Sequence, residues 1–189
     1  MPLDSESRWR LVRRAKLSNQ EPVGETTIRP VRIDDLSQIV EIYNYYVRNS
    51  VVTFDIEPLT LADWRDKHDY IAGLNMPFLV AISPRGELVG FAYVAPWRQK
   101  AAYRRTVENS IYLRPAATGK RVGTKLLEAL IAECKQRGIK EIVAVISDKG
   151  AEASVKLHEA FGFKSQGHLG KVGFKFGRWL GVVLLQKSL

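Results

Sequence analysis

Ser110–Ile131, SIYLRPAATGKRVGTKLLEALI, is the stretch on which the reading of the whole chain turns. A strand-like run ends at Arg114-Pro115, and a short polar loop carrying Gly119 follows. Gly123 stands where Leu126, Leu127, Leu130 and Ile131 set up an amphipathic helix. A glycine-bearing loop that enters a helix turns backbone N–H groups outward at the positive end of the helix dipole, which suits a phosphate or pyrophosphate. Many such junctions only turn the chain, so by itself the segment leaves both roles open.

Composition narrows the choice. The 189 residues suffice for one domain with a substantial core, and 46% hydrophobic with 26% charged residues is ordinary for a globular chain. No apolar run nears the roughly 20 residues of a membrane span, so no membrane role is expected. The single cysteine, Cys134, falls on an apolar helix position and fits packing in a reducing compartment, which points to the cytoplasm. Three histidines without ligand spacing predict no metal site. The net charge of +9 is concentrated: residues 97–125 hold eight Lys or Arg against the one acid Glu108, and residues 164–189 hold five and no acid. Such a field attracts anions. A phosphorylated cofactor, nucleic acid and a merely solvated basic face are the alternatives, and no nucleic-acid-binding motif accompanies the charge.

Residues 1–25 read as a polar N-terminal appendage, with a short helix around Trp9, Leu11 and Val12; Asp4 and Glu6 argue against a secretory leader. Residues 26–189 read as one domain. Strands are expected at 27–32, 78–82, 88–95, 106–113, 141–146 and 179–186. Helices are expected after Asp34 or Asp35, the latter at capping-box spacing from Gln38, after Thr60, after Gly123 and over 153–161. Asn49–Glu57 is strand or loop. The order β-α-α-β-β-β-α-β-α-β implies an α/β fold with one mixed sheet and helices on both faces.

Several separated segments then carry a family likeness: IRPVRIDDLSQIVEIYNYYV, TFDIEPLT, GFAYVAPWRQKAAYRRTVENSIYL, the glycine loop with GTKLLEALI, SVKLHEAFGF and VGFKFGRWL. Together they resemble the GNAT-type N-acetyltransferases, within them the phosphinothricin and methionine sulfone or sulfoximine acetyltransferase group, over residues 27–189. The resemblance implies a mostly antiparallel central sheet, acetyl-CoA as cofactor, a small amino-acid-like amine as substrate, a role in detoxification and a homodimer. It places cofactor contacts at Ile111, Tyr112, Leu113, Thr118, Gly119, Lys120, Arg121, Val122, Gly123, Thr124, Ser154 and His158, and substrate contacts at Phe54, Arg98, Lys100, Tyr103, Arg104 and Glu108.

Glu108 matches the family's general base, and a carboxylate suits the deprotonation of an attacking amine. Cations near it would weaken the base and burial would strengthen it; the sequence leaves that contest open, as it leaves a plain salt bridge. His158 stands where many relatives carry a tyrosine and is expected to protonate the departing thiolate, with helix packing as the alternative. Guanidinium forks at Arg98 and Arg104 suit phosphinate and carboxylate, while Lys100 replaces an expected second arginine. Val172, Phe174 and Phe176 fall on one side of a C-terminal hairpin that suits a lid or a dimer contact. Four positions depart from the family pattern. Thr118 replaces Gln or Arg, Arg121 replaces the middle glycine, Ala151 replaces an asparagine, and Gly181 replaces an aspartate. A non-catalytic acyl-CoA-binding relative with a drifted loop is therefore the second reading.

Overall fold

The computed structural model describes residues 25–189; the expected helix near Trp9 lies outside them. Among the described residues the elements run β1 (Thr27–Pro30), α1 (Leu36–Asn49), α2 (Leu61–Gly73), β2 (Phe78–Ile82), β3 (Leu88–Pro96), β4 (Thr106–Leu113), α3 (Val122–Gln136), β5 (Glu141–Ser147), α4 (Glu152–Ala160), β6 (Lys164–Lys175) and β7 (Arg178–Ser188). The strands form one sheet in the order β1-β2-β3-β4-β5-β7-β6, antiparallel throughout except for β4 against β5. The expected mixed, mostly antiparallel sheet is therefore the one found.

Alternation splits the core into two layers. On β2 and β3, Phe78, Val80, Phe91 and Tyr93 face Leu36, Ile39, Tyr43 and Val47 of α1 and Trp64 of α2. Their neighbours Leu79, Ala81, Ala92 and Val94 face Leu126, Leu127, Leu130 and Cys134 of α3. Both faces being covered explains why these strands read as near-continuous apolar runs. Each fully buried leucine of α3 contributes roughly 1.5–3 kcal/mol. Cys134 is buried, and burial pushes its thiol up to about 12, which suits packing rather than nucleophilic work.

Two local expectations need correction. Asp35 does not cap α1 with Gln38. Its carboxylate instead accepts from Arg29 Nη1 and Nη2 at 2.7 and 2.8 Å and from the Arg32 N–H at 2.7 Å, tying β1 to the start of α1. Burial pushes the Asp35 carboxyl up, but these bonds outweigh it and hold it below the usual range. The capping box forms instead at Thr60 and Asp63, ahead of α2. Asn49 ends α1, and residues 50–57 are loop. The second correction is a seventh strand, β6, of which the sequence pattern showed only the hairpin end at Val172 and Phe174. Its register slips between Ser165 and Gly167 and again between Leu169 and Gly173, and each slip breaks the period-two alternation by which a strand is recognised.

The feature that positions the site lies in mid-sheet. β4 pairs with β5 only from Thr106↔Glu141 to Glu108↔Val143. From Asn109 onward β4 keeps β3 on one side and has no strand partner on the other. The sheet opens into a cleft there, with α3 and α4 packed on the same face.

Candidate active site

The glycine loop opens at the end of β4 with a single 3-10 turn, Pro115–Ala117, and enters α3. Arg121 is the N-cap, with φ 61° and ψ 10°, and no side chain caps this helix end. The first intrahelical bond runs from Lys125 N to Arg121 O at 3.1 Å, so the N–H groups of Val122, Gly123 and Thr124 have no acceptor within the helix. Gly119 also has positive φ, 74°. At Gly123 a Cβ would come within 3.3 Å of Leu157 on α4, so glycine allows α3 and α4 to approach here. An uncapped 15-residue helix, outward N–H groups and exposed Lys120 and Arg121 beside them make a cradle that fits a pyrophosphate. Arg121 thus keeps the left-handed turn that glycine would occupy more cheaply.

Not every expected cofactor contact is free to act through its side chain. Thr118 Oγ1 donates to Pro115 O at 2.7 Å, within the turn itself. The Tyr112 ring is packed between Tyr43 and Phe91, and burial holds its hydroxyl well above the usual range. Ile111 and Leu113 pack onto the α3 side of the core. What these strand residues offer a cofactor is the unpaired backbone edge of β4.

Glu108 sits where β4 and β5 part, opposite Ala95 on β3. It is partly buried. Burial raises its carboxyl pKa, and Arg98 pulls the other way without prevailing. The contest left open by the sequence is decided for the stronger base. Beside it, a cavity of about 690 Å³ is lined by Tyr70, Ala95 to Lys100 and Tyr103. Arg98 lies over the Trp97 ring at 4.6 Å, which orients its guanidinium. Three expected substrate residues, Arg98, Lys100 and Tyr103, therefore share one hollow, and Tyr70 joins them from α2. Glu108 does not line it; its cross-strand partner Ala95 does. Arg104 is exposed next to this cavity and does not line it. Phe54 lies elsewhere, against Gly173 of β6, where a Cβ would meet its ring at 2.4 Å. The Phe54 loop is held by Lys175 Nζ, which donates to Thr53 O at 2.8 Å, and by the Tyr43 hydroxyl, bonded to Thr53 Oγ1 at 2.9 Å and Asp55 Oδ2 at 2.5 Å.

His158 is 2% exposed, and both ring nitrogens are engaged. Nδ1 faces Ser154 O at 2.8 Å and Nε2 faces Asn109 Nδ2 at 2.8 Å. Burial lowers its pKa, the Ser154 carbonyl acting against this. Ser154 holds the ring through its backbone carbonyl; its hydroxyl lies 3.5 Å from Nδ1. This differs from the expected proton donor facing a thiolate. Asn109 was missed by sequence reasoning. Its signal was a polar residue on the strand face otherwise carrying Val107 and Ile111. Its Oδ1 is buried with no partner among the described residues, at a cost of about 1–3 kcal/mol.

Gly181, where the family pattern has aspartate, has a structural reason. A Cβ would lie 2.5 Å from Asp148 Oδ2, 2.6 Å from Leu169 O and 2.8 Å from His168 Nε2. Asp148, reaching in from the end of β5, puts a carboxylate beside this position, accepting from Gly181 N at 3.0 Å and pairing with His168 Nε2 at 3.0 Å.

Comparison with known proteins agrees with this geometry. The Acetyltransferase (GNAT) family profile matches residues 39–163. A phosphinothricin N-acetyltransferase of Alcaligenes faecalis is 41% identical over 163 residues, covering 86% of this chain and 82% of its own. An L-methionine sulfoximine/L-methionine sulfone acetyltransferase of Pseudomonas aeruginosa is 38% identical, covering 86% and 94%. The solved phosphinothricin acetyltransferase of Sinorhizobium meliloti in complex with acetyl-CoA superposes with TM-score 0.83 at 40% identity, covering 87% and 88%.

Proposed function

This chain belongs to the acetyltransferase (GNAT) family, and on that footing we propose that it acetylates the α-amino group of a small amino-acid-like molecule of the phosphinothricin, methionine sulfone or methionine sulfoximine kind. Acetyl-CoA, when bound, supplies the activated acetyl thioester. The residues of the chain do the rest. Backbone N–H groups of Val122 to Thr124, with the cations of Lys120 and Arg121, hold the pyrophosphate at the head of α3. Arg98 and Lys100 hold the substrate's anionic groups in the cavity beside Trp97 and Tyr103. Glu108 takes the proton that the amine must lose before it can attack.

The observation that carries this reading is Glu108 itself: a partly buried carboxylate with a raised pKa, at the parting of β4 and β5 and paired across the ladder with Ala95, which lines the basic hollow. The left-handed turn at Arg121 keeps the loop's form and speaks for a working enzyme over a drifted relative. Detoxification of such amino acids in the cytoplasm is the role that fits the relatives' substrates. A second copy of the chain is the partner we assign to the exposed apolar stripe Leu169, Val172, Phe174, Phe176 and Trp179 on the β6–β7 hairpin, since so large an exposed patch marks an interaction surface.

The test is release of free CoA from acetyl-CoA with a panel of phosphinothricin, methionine sulfone, methionine sulfoximine and ordinary amino acids. Turnover confined to the first three supports the proposal. Acetyl-CoA binding without turnover of any amine refutes it.

A further inference from the structure

Where β4 loses β5, no backbone hydrogen bond links it laterally to the rest of the cleft. The first residue past the parting is Asn109, and its side chain reaches α4 instead, through the 2.8 Å contact with His158. We infer that Asn109 and His158 form a tie across the cleft that sets its width for the cofactor, His158 being a positioning residue that accepts a hydrogen bond and gives up no proton. This rests on the acetyltransferase reading.

The protonation pattern follows from the partners. The Ser154 carbonyl has only lone pairs, so His158 Nδ1 must carry the hydrogen there. Neutral imidazole has one N–H, so Nε2 presents its lone pair and the Asn109 amide donates to it. A proton on Nε2 would point at the Asn109 NH2 group inside a site closed to water, with the Phe163 ring edge-on at 4.9 Å. The Asn109 amide holds this orientation although its Oδ1 is left buried without a partner among the described residues. A side chain kept in place at that cost serves the contact it makes. The tie spans two elements that would both line a cofactor: the open edge of β4 and the helix whose Leu157 packs at Gly123 of the glycine loop. Breaking it lets β4 and α4 separate.

Three variants test this: His158→Gln, whose amide oxygen can still accept from Asn109, His158→Phe and Asn109→Val. Acetyl-CoA affinity is read by calorimetry, kcat by CoA release across pH, and the tautomer by imidazole nitrogen NMR shifts. The expected result is about tenfold weaker acetyl-CoA binding for His158→Phe and for Asn109→Val, in line with the loss of one buried hydrogen bond, and no further loss when these two substitutions are combined. His158→Gln restores most of the affinity, and the shape of its kcat–pH profile stays that of the parent. The NMR spectrum shows an unprotonated Nε2 beside an Nδ1–H at neutral and mildly alkaline pH. The inference is overturned by an Nε2–H tautomer, or by His158→Gln binding acetyl-CoA normally while kcat collapses and the high-pH limb of the profile vanishes. Parent-like affinity in both His158→Phe and Asn109→Val also overturns it. Failure of the unaltered protein to bind acetyl-CoA would instead remove the acetyltransferase reading, and the tie with it.

Discussion

Replacing Arg121 by glycine should make the protein more stable alone and less stable with its cofactor. Arg121 is exposed, has φ 61°, and makes no side-chain capping bond. A side chain in the left-handed region costs about 1–2 kcal/mol. Glycine removes that strain but gives back about 0.4–1 kcal/mol through the freedom of the unfolded chain. The net gain is about 0.5–1 kcal/mol, which for a chain of this length raises Tm by about 1–4 °C. On the other side stands a charge-assisted bond to pyrophosphate, about 1.5–3 kcal/mol, or about ten- to a hundredfold in Kd. At saturating acetyl-CoA a tenfold weaker Kd removes about 1.4 kcal/mol of ligand stabilisation, more than the strain relief supplies. The melting curves therefore cross: Arg121→Gly melts above the parent without acetyl-CoA and below it with acetyl-CoA in excess. Differential scanning fluorimetry with and without acetyl-CoA reads both, and calorimetry gives Kd. A lower Tm without ligand would refute the strain argument, and an unchanged Kd would refute the pairing of Arg121 with phosphate.

Glu108→Gln should keep acetyl-CoA affinity and lose about 10²–10⁴ in kcat, measured by CoA release. In the parent, turnover falls as pH drops through the raised carboxyl pKa, so the acid limb lies above the usual glutamate value of 4.5. A folded pKa above the unfolded one means the carboxylate weighs against the fold once pH rises through it, so the Gln variant should melt slightly higher at pH 7. Gly181→Asp, which restores the family residue, should destabilise by about 1–3 kcal/mol in urea unfolding, because its Cβ overlaps Asp148 and Leu169 O. Asp148 is held below the usual carboxylate range first by its bond to His168, so its contribution is present above the unfolded pKa and fades as pH falls through the lower folded value; thermal melts of Asp148→Asn should lose this acid dependence. Phe174→Ser with Trp179→Ser should yield a monomer by light scattering, and an unchanged mass would separate the hairpin from any self-association.

The glycine loop illustrates how far sequence reaches. Gly119, Gly123 and the apolar repeat of α3 are local signals, and local signals survive translation into structure because strand, turn and helix are set within a few residues. The departures at Arg121 and Gly181 were visible as departures but not as solutions. Arg121 keeps the turn by adopting a left-handed backbone. Gly181 yields its place to Asp148, which is 33 residues away in the chain. Only the hairpin end of β6, at Val172 and Phe174, was legible; toward Lys164 two register slips erase the alternation that marks a strand.

By itself the sequence determined the layered α/β fold, the order of nearly all its elements, the glycine loop that leads into α3 and Glu108 as the acid set among cations, since periodicity and composition act along the chain. Tertiary structure alone decided the rest. Burial at the parting of β4 and β5 settled the direction of the Glu108 pKa against Arg98. Packing sent Phe54 to Gly173 and left Arg104 outside the cavity. The meeting of Asn109 with His158, 49 residues apart, gave the expected proton donor a buried partner on β4. Desolvation and hydrogen-bond partners depend on which distant residues arrive at a point in space, and no local pattern encodes that.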